Sequence, residues 1–329
     1  MLFQSFGRDH DFARIASVAD FQARVPLRRY EAMWNDYWKP AYPVLDNVSW
    51  PGIVPFFAMS SGTTSGTTKY VPCTHAMNKA NARAGLDVLV HHIAARPLSR
   101  ILSGKSFLLG GSTDLTEISP GIRAGDLSGI AAARTPFWAK ARVFPPPSLA
   151  LIADWEAKAE RLAEEILRHC ITSIAGTPSW LLVFLDRLFA KHPAREKNLA
   201  AFFPDLELVI HGGVNFTPYR ERFLRLMQGS HAETREVYAA SEGFIASADG
   251  APGAGMRAMA DNGLFFEFVP VEELSAANPT RHWLGNFETG VEYAIVLSTC
   301  AGLWAYVLDR KSTRLNSSHV SESRMPSSA

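Results

Sequence analysis

The chain predicts an α/β fold whose functional site lies along the carboxyl ends of its strands, and three observations carry that expectation. β-rich runs alternate with helical ones in the second half, as in Ile171–Gly176 followed by a helix that Pro178 opens at its favoured first position. Several of these runs end in small, polar or glycine-rich turns: His211–Gly212–Gly213 after Leu206–Ile210, and Ala239–Gly243 after Glu236–Tyr238. In open α/β sheets, such turns at strand ends are where ligands bind. The third observation is composition: 47% hydrophobic and 20% charged residues in 329 suffice for a large core and exclude a disordered chain.

The elements follow in order. The first fifty residues read as helical, with Tyr30, Met33 and Trp34 at helical spacing after the turn at Val25–Pro26. Prolines 40, 43, 51 and 55 lead to a short apolar run, Phe56–Met59, expected to be a buried strand. A Ser/Gly/Thr-rich loop comes next, then a helix from about His75 to Ile93. Phe107–Gly111 predicts a further strand, and Pro145–Pro147 a stiff turn. Trp155, Leu162, Ile166 and Leu167 form the apolar stripe of an amphipathic helix. Its charged residues, Glu156, Lys158, Glu160, Arg161 and Glu165, are expected to form a solvated face. Leu264–Val269 and Tyr293–Ser298 predict two more strands.

Charge and cysteine content narrow the function classes. With 33 Lys+Arg against 32 Asp+Glu, the chain has no global field for nucleic acid or anionic membrane. No apolar run approaches the length of a membrane span, and the N-terminal MLFQSFGRDHDFARI carries charges where a signal peptide would be apolar. Cys73, Cys170 and Cys300 stand far apart without metal-ligand spacing, which predicts buried reduced thiols in a cytoplasmic protein. His91–His92 has no third ligand at sensible spacing and predicts surface or helix-face histidines.

Three turns carry chemistry. The segment Ser60, Ser61, Gly62, Thr63, Thr64, Ser65, Gly66, Thr67, Thr68 runs into Lys69. Glycines let backbone N–H groups converge on an anion, hydroxyls add donors, and the lysine adds charge. The pattern is phosphate-cradling in composition, although it lacks the Gly-Lys step of the common P-loop. A flexible polar loop is the alternative for this segment taken alone. At His211–Gly212–Gly213–Val214, two glycines permit close approach of a flat ligand; taken alone, the segment reads as a tight turn with His211 on the surface. Tyr238–Ala239–Ala240–Ser241–Glu242–Gly243 offers a stacking face, a hydroxyl, and a carboxylate suited to a metal ion that bridges phosphates.

Taken in order, SSGTTSGTTK, HGGV, YAASEG and STCAGLWAY resemble the acyl-acid amido synthetases, the auxin-responsive promoter family, within the adenylate-forming superfamily of acyl-CoA synthetases and luciferase. The likeness runs from about Phe6 to Leu308. It implies a large N-terminal domain of mixed β-sheets flanked by helices, with a Gly-rich phosphate loop. It also implies ATP and Mg²⁺, with a small carboxylic acid activated as its adenylate and passed to an amino acid. By that resemblance Ser60 to Lys69 match the phosphate loop, Gly212 and Gly213 line adenine, and Tyr238 lies beside the base. Ser241 belongs to the same motif, Glu242 holds Mg²⁺, and Lys69 and Glu242 are the catalytic pair. A thioester-forming ligase of the same superfamily and a non-catalytic nucleotide-binding protein remain open. Arg123 and Arg134 are candidates for a substrate carboxylate, and neither is assigned.

The end of the chain departs from the family. Tyr306–Val307–Leu308 opens a motif that continues Gly-Asp, but Asp309 stands where glycine belongs. The serine-rich Arg310–Ala329 has no periodicity and resembles translated sequencing adapter, so residues 309–329 are expected to be a disordered, non-native tail. Its four Lys/Arg and one Glu leave residues 1–309 at −2. The expected organisation is a large ATP- and acid-binding domain over residues 1–308, incomplete at both ends, with the small C-terminal domain missing and the fragment inactive.

Overall fold

The computed structural model describes residues 2–61, 68–110, 114–150, 152, 154–250, 255–308 and 315–316. In chain order the strands are β1 (Phe56–Ser61), β2 (Thr68–Cys73), β3 (Lys105–Leu109), β4 (Leu115–Ser119), β5 (Ile122–Gly125), β6 (Val143–Phe144), β7 (Ile171–Gly176) and β8 (Leu208–Gly212). They continue as β9 (Glu233–Ala240), β10 (Gly243–Ser247), β11 (Arg257–Ala258), β12 (Leu264–Pro270), β13 (His282–Trp283), β14 (Glu292–Thr299), β15 (Tyr306–Val307) and β16 (Leu315–Asn316).

They form three sheets, a mixed α/β architecture as the sequence predicts. The seven-stranded sheet has the order β11-β10-β9-β8-β7-β3-β6. Its central members are parallel, so their carboxyl ends share one edge, with Leu109 opposite Gly176, Gly176 opposite His211, and Gly212 opposite Val237. Helices cover it, one at Trp155–Glu165 and one at Pro178–Lys191 with Pro178 in its first turn. Phe107, Phe144, Phe184 and Leu188 pack between strands and helices as one apolar core. The second core joins the four-stranded sheet β2-β1-β5-β4 and the sheet β13-β12-β14-β15 to the N-terminal helices. β12 and β14 pair over seven residues each, and seven of the eight β14 side chains are buried.

Two departures from the sequence reading concern strands. β2, β4, β5 and β10 were not expected, nor were the two-residue strands β6, β11, β13, β15 and β16. β2 lies at a sheet edge, where Pro72 is tolerated because an edge strand need not donate every N–H. The Ser/Gly/Thr loop therefore joins an antiparallel hairpin, Ser61 opposite Thr68, rather than a strand and a helix. The helix His75–Ala95 starts after β2, where the Thr74 hydroxyl accepts from the Met77 N–H at 3.1 Å and donates to the Cys300 carbonyl at 2.6 Å. Within the expected tail, Leu315–Asn316 pairs with β14, Leu315 opposite Tyr293; Asp309 and residues 310–314 and 317–329 lie outside the described residues.

Candidate active site

Four stretches of chain converge beside the end of β9. The N-terminal segment adds to β15 in parallel: the Arg28 N–H donates to the Ala305 carbonyl at 2.9 Å, and the Val307 N–H to the Arg28 carbonyl at 2.8 Å. That pairing brings Tyr30, at the start of the helical turn Tyr30–Met33, toward Tyr306. Tyr306 is buried and donates its hydroxyl to the Glu242 carboxylate, which sits in the turn between β9 and β10. Burial foremost, and then the Glu242 charge, hold the Tyr306 hydroxyl well above its usual range, so it stays a donor. Lys69 enters from β2, its ammonium 5.2 Å from the Tyr30 ring centre and 4.0 Å from a Glu31 carboxylate oxygen. Burial pushes the Tyr30 hydroxyl up to about 12, and that hydroxyl accepts the Tyr70 N–H at 2.8 Å. Tyr30 thus fixes the strand that carries Lys69.

Ser60 is half-buried opposite Lys69 in the hairpin, and Ser61 ends β1. Gly62, Thr63, Thr64, Ser65 and Gly66 lie outside the described residues, as does the Ser61 side chain. Gly212 is still in β8; a Cβ there would lie 2.3 Å from the Val237 carbonyl oxygen, so its smallness serves strand pairing. Gly213, just past the strand, has φ +82° and a nearly open face, with only the Thr177 hydroxyl within 4 Å of an added Cβ. Tyr238 is half-buried in β9, and Ser241 is beside Glu242 in the turn.

Several sequence expectations need correction here. His211 is buried rather than on the surface, with its ring stacked on Phe216 at 3.6 Å, because β8 runs two residues further than its apolar run suggests. His92 is likewise buried, Nε2 at 3.2 Å from Glu207, whose other oxygen accepts the Arg100 N–H. Cys73 is buried and Cys300 half-buried, both free, with thiols raised by burial to about 12 and about 11, whereas Cys170 is exposed. Lys158, expected on a solvated face, is 3% exposed. Tyr30 was legible only as an aromatic at helical spacing and Tyr306 only as the opening of the Tyr306–Leu308 motif; neither spacing nor periodicity shows that they meet.

A single carboxylate with substrate phosphates is a sufficient Mg²⁺ site, so Glu242 suits that ion. Among the described residues no cluster of three or more His, Cys, Asp or Glu could hold a metal without such help. No helix of the described residues is long and apolar enough to cross a membrane.

The same architecture occurs in solved proteins. AtGH3.15 acyl acid amido synthetase in complex with 2,4-DB superposes with a TM-score of 0.71 at 15% identity, over 93% of this chain and 61% of that one. An open conformation of 2-hydroxyisobutyryl-CoA ligase in complex with 2-HIB-AMP and CoA superposes with a TM-score of 0.59 at 15% identity, over 92% and 63%. This chain therefore spans about three fifths of the length of these proteins and has the fold of the large domain of adenylate-forming ligases. No curated protein matches in sequence. The sequence does match the GH3 family N-terminal domain over residues 4–158 and the GH3 family central domain over residues 257–310. These stretches bring Tyr30, Lys69 and Tyr306 to one place, and together they take in more than half of the residues: the chain belongs to the GH3 family.

Proposed function

We propose that this chain carries the nucleotide- and acid-binding part of an ATP-dependent ligase. A carboxylate oxygen attacks the α-phosphorus of ATP and pyrophosphate leaves, giving an acyl-adenylate. An amino acid amine then attacks the activated carbonyl, forming the amide with release of AMP and a proton. The observation that carries this reading is the convergence of Lys69, Tyr30, Tyr306 and Glu242 at the carboxyl end of β9, where an α/β sheet binds its ligands.

In this reading Ser60, Ser61 and the loop through Gly66 cradle the phosphates, and Lys69 places its charge on them. Gly213 leaves room for the base beside Tyr238. Mg²⁺, when bound, neutralises charge developing on the phosphates. Glu242 holds that ion, and the Tyr306 hydroxyl orients the carboxylate that does so. The work of the chain is positioning and charge stabilisation.

The test is acid-dependent exchange of labelled pyrophosphate into ATP, run beside Mg²⁺–ATP binding. Glu242→Gln is expected to weaken Mg²⁺–ATP binding by about ten-fold or more, the loss of one charged ligand. A wild-type chain that binds no Mg²⁺–ATP overturns the reading. The shared fold with a CoA ligase supports a second acceptor class. Amino acids and CoA, offered separately to the acyl-adenylate, distinguish amide from thioester formation.

A further inference from the structure

The turn that carries Glu242 is held by more than Tyr306. The helix His75–Ala95 presents Thr74, Met77 and Asn81 on one face, at helical spacings of three and four. Thr74 caps that helix and donates to the Cys300 carbonyl just past β14. The buried Met77 side chain reaches the next position after Glu242: a Cβ added at Gly243 would lie 3.5 Å from its terminal methyl and 3.0 Å from Leu264. Gly243 has φ +151°, which glycine adopts without strain. The half-buried Asn81 then accepts the Phe244 N–H on Oδ1 at 3.1 Å. The pairing of β9 with β10 shifts register between Phe244 and Ala246, so a bulge stands beside the turn, and a side chain meets the backbone there.

The same helix follows β2, the strand that carries Lys69. One rigid element therefore joins the lysine strand to the carboxylate turn. Mg²⁺ tolerates little error in the position of a ligand, because it demands near-octahedral geometry at about 2.0–2.1 Å. Asn81 carries no charge, so it controls where the turn sits and not the field within it. We propose that Asn81 is a positioning residue: acting through the Phe244 N–H, it sets the Glu242 turn against the phosphate hairpin so that one metal ion can bridge carboxylate and phosphates. The inference rests on the ligase reading for the metal and the nucleotide. The grip on the turn is a feature of the fold itself.

The test measures ATP binding to the 329-residue chain by calorimetry over a series of Mg²⁺ concentrations, metal-free included, in wild type, Asn81→Leu and Asn81→Asp. Leucine is close to asparagine in size and removes the acceptor; aspartate keeps an acceptor oxygen in the same place. Asn81→Leu is expected to raise the Mg²⁺ concentration of half effect about ten-fold, the lower end for residues that orient metal ligands, and to leave metal-free ATP binding unchanged. Asn81→Asp is expected to restore most of the metal response. Amide hydrogen exchange reads the grip directly: the Phe244 N–H is expected to be protected in wild type and to lose protection in Asn81→Leu. A wild-type Phe244 amide that exchanges as fast as an exposed loop amide overturns the proposal without any variant. So does a folded Asn81→Leu chain that loses metal-free and metal-dependent binding equally, since that marks a general structural role. A wild-type chain that binds no Mg²⁺–ATP overturns the ligase reading and this inference together. Wild-type binding of Mg²⁺–ATP that Asn81→Leu matches at every Mg²⁺ concentration overturns this inference alone.

Discussion

His211 is neutral in the folded chain because burial against Phe216, and then the Arg220 charge, lower its pKa from 6.5 to about 4. Its Nδ1 has no hydrogen-bond partner among the described residues, so nothing there rewards the proton. The unfolded chain binds that proton from about pH 6.5 downward, and the folded chain only near 4. Stability contributed by neutral His211 is therefore complete above pH 6.5 and declines as pH falls toward 4. Over that window the loss is on the order of 3 kcal/mol. Unfolding by urea at pH 7, 5.5 and 4.5 measures it, with His211→Phe expected to flatten this part of the slope. An unchanged slope in that variant would assign the acid sensitivity to other groups.

At the level of elements, what could be read in the sequence was what local chemistry decides. The helix at Pro178–Lys191 announces itself through Pro178, and β7 through a β-branched run closed by glycine. β2 does not, because Thr68–Cys73 carries a lysine and a proline and becomes a strand only through pairing with β1. Lys158 was misread for a related reason: on its own helix it continues a charged face, and only packing against the rest of the fold buries it. The β1–β2 hairpin depends on an equally distant partner, the Tyr30 hydroxyl that accepts the Tyr70 N–H. Tyr30→Phe keeps the ring under Lys69 and removes that acceptor. The expected cost is about 1–3 kcal/mol of unfolding free energy, as for a buried donor left unmet. Denaturant titration with an unchanged m value checks it; no loss would mean that the Tyr70 N–H finds another acceptor.

Across the whole molecule, the N-terminal helices are fastened to a sheet formed more than two hundred residues later. Glu267, fully buried in β12, accepts from Arg281 Nη2 at 2.9 Å and Nε at 3.0 Å, and from Gln22 Nε2 at 2.9 Å. Arg281 Nη1 in turn donates to the carbonyls of Gln22 at 2.9 Å and Val25 at 2.6 Å, at the end of the helix Val18–Arg24. No sequence pattern reveals this clamp, since its members lie in segments with ordinary local signals. Its function is indirect: the segment leaving Val25 goes on to pair Arg28 with β15 and to deliver Tyr30 to Lys69. Glu267→Gln conserves shape but leaves the Arg281 charge buried without its counter-ion. Breaking such a pair costs about 3–5 kcal/mol, far more than an exposed ion pair of the Lys191–Glu164 kind contributes. Urea unfolding is expected to show a lower midpoint with an unchanged slope. If Mg²⁺–ATP affinity falls together with stability in the folded variant, the clamp also positions Tyr30; if stability alone falls, the N-terminal segment holds its place through β15 pairing instead.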